Sequence, residues 1–196
     1  MRIKKFISDV QKKLAKHNFV LELKNVDFLV DKIGKNKTVR CRAFFDESDR
    51  KIVIAEKAKI PVHLLLAHEY SHFVQYQKKT SAYKKSEIGY STIYKYISGS
   101  KKLNQKQVYK YLTYCIEYEL EAEKMAFDLL QKYNIKFDKK SYIREANLYL
   151  YSWGSIYYDK NSGDIIDKEI PNNIEKEFMH VNHYIMNSKN ILKISV

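Results

Sequence analysis

Helix breakers are scarce in this chain. Among 196 residues there are 5 Gly and 2 Pro, which excludes collagen-like and Gly/Pro-rich low-complexity architectures and leaves few points where a helix must stop. Cysteine is as scarce as proline, with 2 residues. Cys41 and Cys115 form no C-x-x-C pair and are too few for a disulfide framework. Two buried thiols in a reducing compartment are the reading they support. No run approaches the roughly 18 apolar residues of a membrane span. The start, MRIKKFISDVQKKLAKH, is charged throughout and lacks a secretory apolar core. The expectation is a cytoplasmic protein without a signal peptide or transmembrane segment.

Acidic residues are also in short supply, with 23 Asp and Glu against 36 Lys and Arg and a net charge of +13. Such a charge admits nucleic acid, an anionic membrane surface or an acidic substrate as partner. The lysines, however, are scattered in pairs, as at Lys4-Lys5, Lys12-Lys13, Lys78-Lys79, Lys84-Lys85, Lys101-Lys102 and Lys139-Lys140. No dense block marks one element as a nucleic-acid reader, so attraction of nucleic acid through general positive charge is all that the pattern supports. What the chain does have is 45% hydrophobic residues and 17 Tyr. That suffices for a sizeable core and excludes wholesale disorder. The fold class expected is α+β: a helix-rich single domain over residues 1–196, with a core at about 19–135 and helical parts at 2–17 and 138–196 packed on it.

Periodicity places the elements. Ile3, Phe6, Ile7, Val10 and Leu14 fall at helical spacing within 2–17. Val20–Leu23 reads as a short strand, with no clear period between it and Ile33. Thr38–Phe45 alternates, and Lys51–Ala55 is a β-branched run after the turn-like Asp46-Glu47-Ser48-Asp49, so these two segments predict a β-hairpin and a small antiparallel sheet. Gly34-Lys35-Asn36-Lys37 and Asn161-Ser162-Gly163-Asp164 read as turns. Pro61 to about Gln77 predicts a helix, with Pro61 in its first turn. Residues 78–104, rich in Lys, Ser, Thr and Tyr, read as a long loop with at most a helical turn at Ile88–Ile97. Residues 105–133 predict the longest helix, and 140–157 and 174–187 two more.

The chemistry lies in His68-Glu69-Tyr70-Ser71-His72. On a helix the two histidines are one turn apart on one face, so both imidazoles can reach one metal ion. Glu69 is about 100° further round, where it can touch a water on that metal without ligating it. Two histidines are too few for a catalytic zinc site, which takes three protein ligands and a water. Glu119 is the candidate for a third, with a salt bridge to Lys or Arg as the other reading of a carboxylate at that place. It interrupts the apolar stripe Val108, Leu112, Cys115, Ala122, Ala126, Leu129 and Tyr133, and a carboxylate there is costly to bury unless paired or coordinated. Glu123, four residues on, projects from the same side and is placed to accept a hydrogen bond from a ligating histidine. His180 and His183, at i and i+3, are the alternative source of a third ligand. His63 reads as structural.

With Glu119 in place, the chain resembles a known group. Leu66-Ala67-His68-Glu69-Tyr70-Ser71-His72, followed 47 residues after His72 by Glu119-Leu120-Glu121-Ala122-Glu123-Lys124-Met125-Ala126, is similar to the gluzincin pattern H-E-x-x-H … E-x-x-A-[DN]-x-x-A. The likeness is strongest to the ImmA/IrrE-type metallopeptidases and related phage-borne proteins, and covers roughly residues 38–130. It implies zinc as cofactor, His68, His72 and Glu119 as its ligands, and Glu69 as the general base of peptide-bond hydrolysis. It also implies a peptide or protein substrate and a place with a phage or in the host-cell cytosol. Glu123 stands where that family often has Asp or Asn. No helix-turn-helix signal accompanies the core, so nothing supports regulation of a repressor. An oxyanion donor is still needed, for which His180, His183 and the tyrosines of 149–158 are candidates. Two other functions fit the composition: a zincin-fold binding or structural protein with little turnover, and a basic nucleic-acid-binding protein.

Overall fold

The computed structural model describes residues 2–33, 37–158 and 174–191. The element order is α1 (Arg2–Ala15), β1 (Val20–Lys24), β2 (Leu29–Ile33), β3 (Lys37–Cys41), β4 (Ala43–Asp46), β5 (Lys51–Ala55), α2 (Val62–Lys78), α3 (Ser81–Ile97), α4 (Gln105–Lys132), α5 (Lys139–Ser155) and α6 (Val181–Ile191). The helix-rich α+β class stands. Residues 1, 34–36, 159–173 and 192–196 lie outside the described residues, and with them the turn at Asn161–Asp164 and most of the one at Gly34–Lys37. Contacts group the chain into two compact units, Met1–Lys78 with Met125–Lys136, and Lys79–Lys124 with Phe137–Val196. These divisions fall at 78/79 and inside α4.

In the first unit, α1 buries Phe6, Val10 and Leu14, the inward stripe that the spacing predicts. It ends without glycine. Asn18 takes the left-handed conformation at φ 60, and Phe19 N–H reaches back to Leu14 O at 3.0 Å. That is a Schellman closure, in which asparagine tolerates the positive φ that glycine usually supplies. α4 ends the same way, with Asn134 at φ 50 and Ile135 N–H on Leu130 O. In a chain with 5 Gly, asparagine does the stopping.

The sheet differs from the expectation in two respects. Thr38–Phe45 is not one strand. It breaks at Arg42 into β3, which pairs antiparallel with β2, and β4, which pairs antiparallel with β5. The predicted hairpin is therefore β4–β5, closed by Asp46 Oδ1, which accepts from Ser48 N and Asp49 N at 2.9 Å each in an Asx turn. Second, the three-stranded sheet is mixed rather than wholly antiparallel. Its order is β1-β5-β4, and β1 runs parallel to β5 with Val20 opposite Lys51 and Lys24 opposite Ala55. The central position of β5 explains why Ile52, Val53, Ile54 and Ala55 are all buried. β2, in the stretch with no clear period, escaped sequence reading because its outward Val30 is apolar and exposed.

α2 lies against β4 and β5. Its anchor is aromatic: Phe73 meets Phe19 edge-on with centroids 5.1 Å apart, and Phe45 packs against both Phe19 (5.6 Å) and Tyr76 (5.8 Å). This fixes the rotation of α2, and with it the face on which His68 and His72 stand.

The second unit is helical. Residues 81–97 form a continuous helix, α3, where the composition had pointed to a loop. Thr80 caps it by accepting from Tyr83 N. Its buried positions are Tyr83, Ser86, Gly89, Thr92 and Ile93, mostly small or polar residues that carry no hydropathic signal. α4 begins with a reciprocal capping pair, Gln107 Oε1 accepting from Asn104 N (3.0 Å) and Asn104 Oδ1 from Gln107 N (2.9 Å). Asp138 caps α5 by accepting from Lys140 N and Ser141 N. α6 is shorter than predicted, because Ile174–Lys176 form a turn and the helix starts only at Val181. The core gathers Ile93, Leu112, Ile116, Leu150, Tyr151 and Tyr184. Cys115 is buried and Cys41 only half-buried.

α5 and α6 meet at Gly154. A Cβ there would lie 2.0 Å from the carbonyl oxygen of Tyr184, an impossible contact with main chain. Gly154→Ala must therefore part the two helices, and a loss of about 3 kcal/mol of stability is expected. Urea unfolding followed by the fluorescence of Trp153, the one tryptophan, measures it; an unchanged midpoint would contradict this packing. No helix among the described residues is long and apolar enough to cross a membrane.

Candidate metal centre

α2 brings its two histidines together. His68 Nε2 and His72 Nε2 are 3.1 Å apart, with rings nearly perpendicular at 89°. His72 is 6% exposed and His68 half-buried. On the far side of the His72 ring, Nδ1 meets Gln75 Oε1 at 2.8 Å. An amide oxygen only accepts, so Nδ1 carries the proton and Nε2 presents its lone pair. His68 Nε2 can donate a hydrogen bond to that lone pair, or the two nitrogens can hold a cation in place of the proton. Both nitrogens would be close enough together to hold one ion.

Glu119, on α4, is 5% exposed. A ligand atom of His68, one of His72 and one of Glu119 all lie within 4.8 Å of one another. Among the described residues, this is the one group of three such side chains. The donor set of two imidazole nitrogens and a carboxylate oxygen is one that zinc accepts, as do other divalent transition metals. The residues therefore fit a metal ion, and the donor set alone leaves its identity open. Tyr90, on α3, donates its hydroxyl to Glu119 Oε1. Burial and the neighbouring Glu119 charge hold the Tyr90 phenol well above its ordinary pKa, so it stays protonated and donates.

Glu69 is 6% exposed and follows His68 on α2, as the motif requires. Glu123 accepts from Tyr142 Oη at 2.6 Å, and burial followed by the Glu123 charge pushes the Tyr142 phenol well up. The hydrogen-bond partner placed on His72 is Gln75, a residue to which the sequence alone assigns no role. Gln75 is fully buried three residues after His72, and a lone amide at that spacing was the available signal. Tyr90 had none, being one of 17 tyrosines in a segment read as loop.

The alternative ligands stand elsewhere. His183 Nδ1 pairs with Tyr151 Oη at 2.6 Å, and His180 Nδ1 accepts a long contact from Asn182 N. Neither belongs to the three-residue group. Tyr158 Oη donates to Met186 O, so it ties the turn after α5 to α6, while Tyr151 ties α5 itself to α6. His63 is half-buried, and burial lowers its pKa.

No protein-family model, curated protein or solved structure matches this chain. The case for a function therefore rests on the side chains themselves.

Proposed function

We propose that the protein is a zinc-dependent metallopeptidase of gluzincin type, with His68, His72 and Glu119 as zinc ligands and Glu69 as general base. The observation that carries this reading is the convergence of three ligand groups, two from an H-E-x-x-H helix and one from a buried carboxylate on another helix. A bound zinc supplies Lewis acidity, polarising a peptide carbonyl and lowering the pKa of a water toward about 7. Glu69 accepts a proton from the attacking water as its oxygen bonds to the carbonyl carbon, and delivers that proton to the amine as the C–N bond breaks. Gln75 holds His72 in the tautomer that leaves Nε2 unprotonated. Glu123, with Tyr142 on its Oε2, is assigned a supporting place beside the ligands. The substrate is a peptide or protein.

Purified protein is expected to carry stoichiometric zinc by elemental analysis and to cleave members of a mixed peptide library. Cleavage should stop on chelation with 1,10-phenanthroline and return when zinc is added back. Tight zinc with no cleavage of any peptide would leave a metal-bearing binding protein instead, and a metal-free protein that takes up none would remove the centre altogether.

A further inference from the structure

We infer that Tyr90 is a positioning residue that restricts Glu119 to a single metal-facing oxygen. This rests on the metal-centre reading above and extends it to the coordination number. The Tyr90 hydroxyl donates to Glu119 Oε1, which commits that oxygen to the protein and leaves coordination to run through Oε2. A carboxylate without such a donor can bind an ion through both oxygens. A second oxygen would fill the open position that a catalytic zinc keeps for water and substrate.

The hydroxyl is held in place from several sides. The Tyr90 ring meets Trp153 edge-on with centroids 5.2 Å apart, meets Tyr118 at 5.9 Å, and stacks on Tyr94 at 6.0 Å. The preceding residue is Gly89, where a Cβ would lie 3.0 Å from Tyr114 Cβ and 3.2 Å from Cys115 Sγ and Tyr111 O. Glycine there is what lets α3 approach α4 closely enough for Tyr90 to reach the carboxylate. On either side of the contact, α3 binds two more α4 carboxylates: Thr80 Oγ1 donates to Glu121 Oε2 at 2.8 Å, and Lys85 Nζ meets Glu117 Oε2 at 2.9 Å. α3 thus fixes the register of α4 at 117, 119 and 121, and only the middle contact goes to a proposed ligand.

The test is a metal titration of the full chain, parent against Tyr90→Phe, with Tyr83→Phe as control. Tyr83 is buried on the same helix and its hydroxyl serves Lys79 and Glu87. Zinc affinity, read by competition with a chromophoric chelator, is expected to fall about 10- to 100-fold in Tyr90→Phe and to hold in Tyr83→Phe. Cobalt(II) loaded into the parent should show the intense visible bands of a four-coordinate ion. In Tyr90→Phe those bands should weaken as Glu119 turns bidentate and the coordination number rises. Parent-like affinity and spectrum in Tyr90→Phe, or an equal loss in Tyr83→Phe, overturns the inference and leaves the metal centre standing. A parent that binds neither ion overturns the metal centre itself. Should Tyr90→Phe not fold, the parent's cobalt spectrum decides, because weak five- or six-coordinate bands there also overturn the inference.

Discussion

Glu69→Gln is expected to keep its zinc and to lose hydrolysis by roughly 100- to 10,000-fold, the contribution of a positioned general base. The two side chains have nearly the same shape, so a residue that is 6% exposed is replaced without a cavity. The amide cannot take a proton from water near neutral pH, and that is the one function the substitution removes. Zinc content should not change, because the motif puts Glu69 beside the ligands and not among them. The measurement pairs elemental analysis with the turnover of whichever peptide the parent cleaves. Parent-like turnover would show that another group takes the proton; lost zinc would show that Glu69 had been a ligand.

The parts of this fold that were legible in sequence are those where one physical signal dominates. α2 and α4 are long, free of breakers and carry a stripe at helical spacing. Glu119 was legible because a carboxylate among Leu112, Cys115, Ala122 and Ala126 contradicts the stripe around it, and contradictions of that kind mark functional positions. α3 was not legible. Its buried face is built from Ser86, Gly89 and Thr92, chosen for close approach rather than for hydrophobicity, so the hydropathic period is faint just where the packing is tightest. The parallel β1–β5 pairing was hidden for a different reason. It joins segments separated by a second sheet, and alternation within a strand says nothing of which strand lies alongside. Arg42 hid the break between β3 and β4 because it preserves the alternation across it. Gln75 and Tyr90 show the limit for the site. Residues that orient a ligand need only one correctly placed oxygen or hydroxyl, and neither amide nor phenol is distinctive until the helices are assembled.

Glu119 also decides whether the motif is a metal site or two neighbouring histidines. Glu119→Ala removes a ligand outright, and its zinc affinity should fall by more than the roughly 10- to 100-fold that loss of a supporting contact costs. Dialysed protein should then be metal-free. The alanine variant also deprives Tyr90 of its acceptor, a penalty of about 1–3 kcal/mol for a buried hydroxyl, so unfolding could mimic metal loss. Glu119→Gln separates the two effects. Its amide oxygen still accepts from Tyr90 and its volume is unchanged, but a neutral amide is a poor zinc ligand. It should keep the parent's unfolding midpoint in the metal-free state and still lose most zinc affinity. Full zinc occupancy in both variants would show that the third ligand lies elsewhere. His183 would be the first residue to examine, and freeing its Nδ1 would require breaking the 2.6 Å contact with Tyr151 that helps join α6 to α5. In that case His183→Ala, and not Glu119→Ala, should come out of dialysis without its zinc.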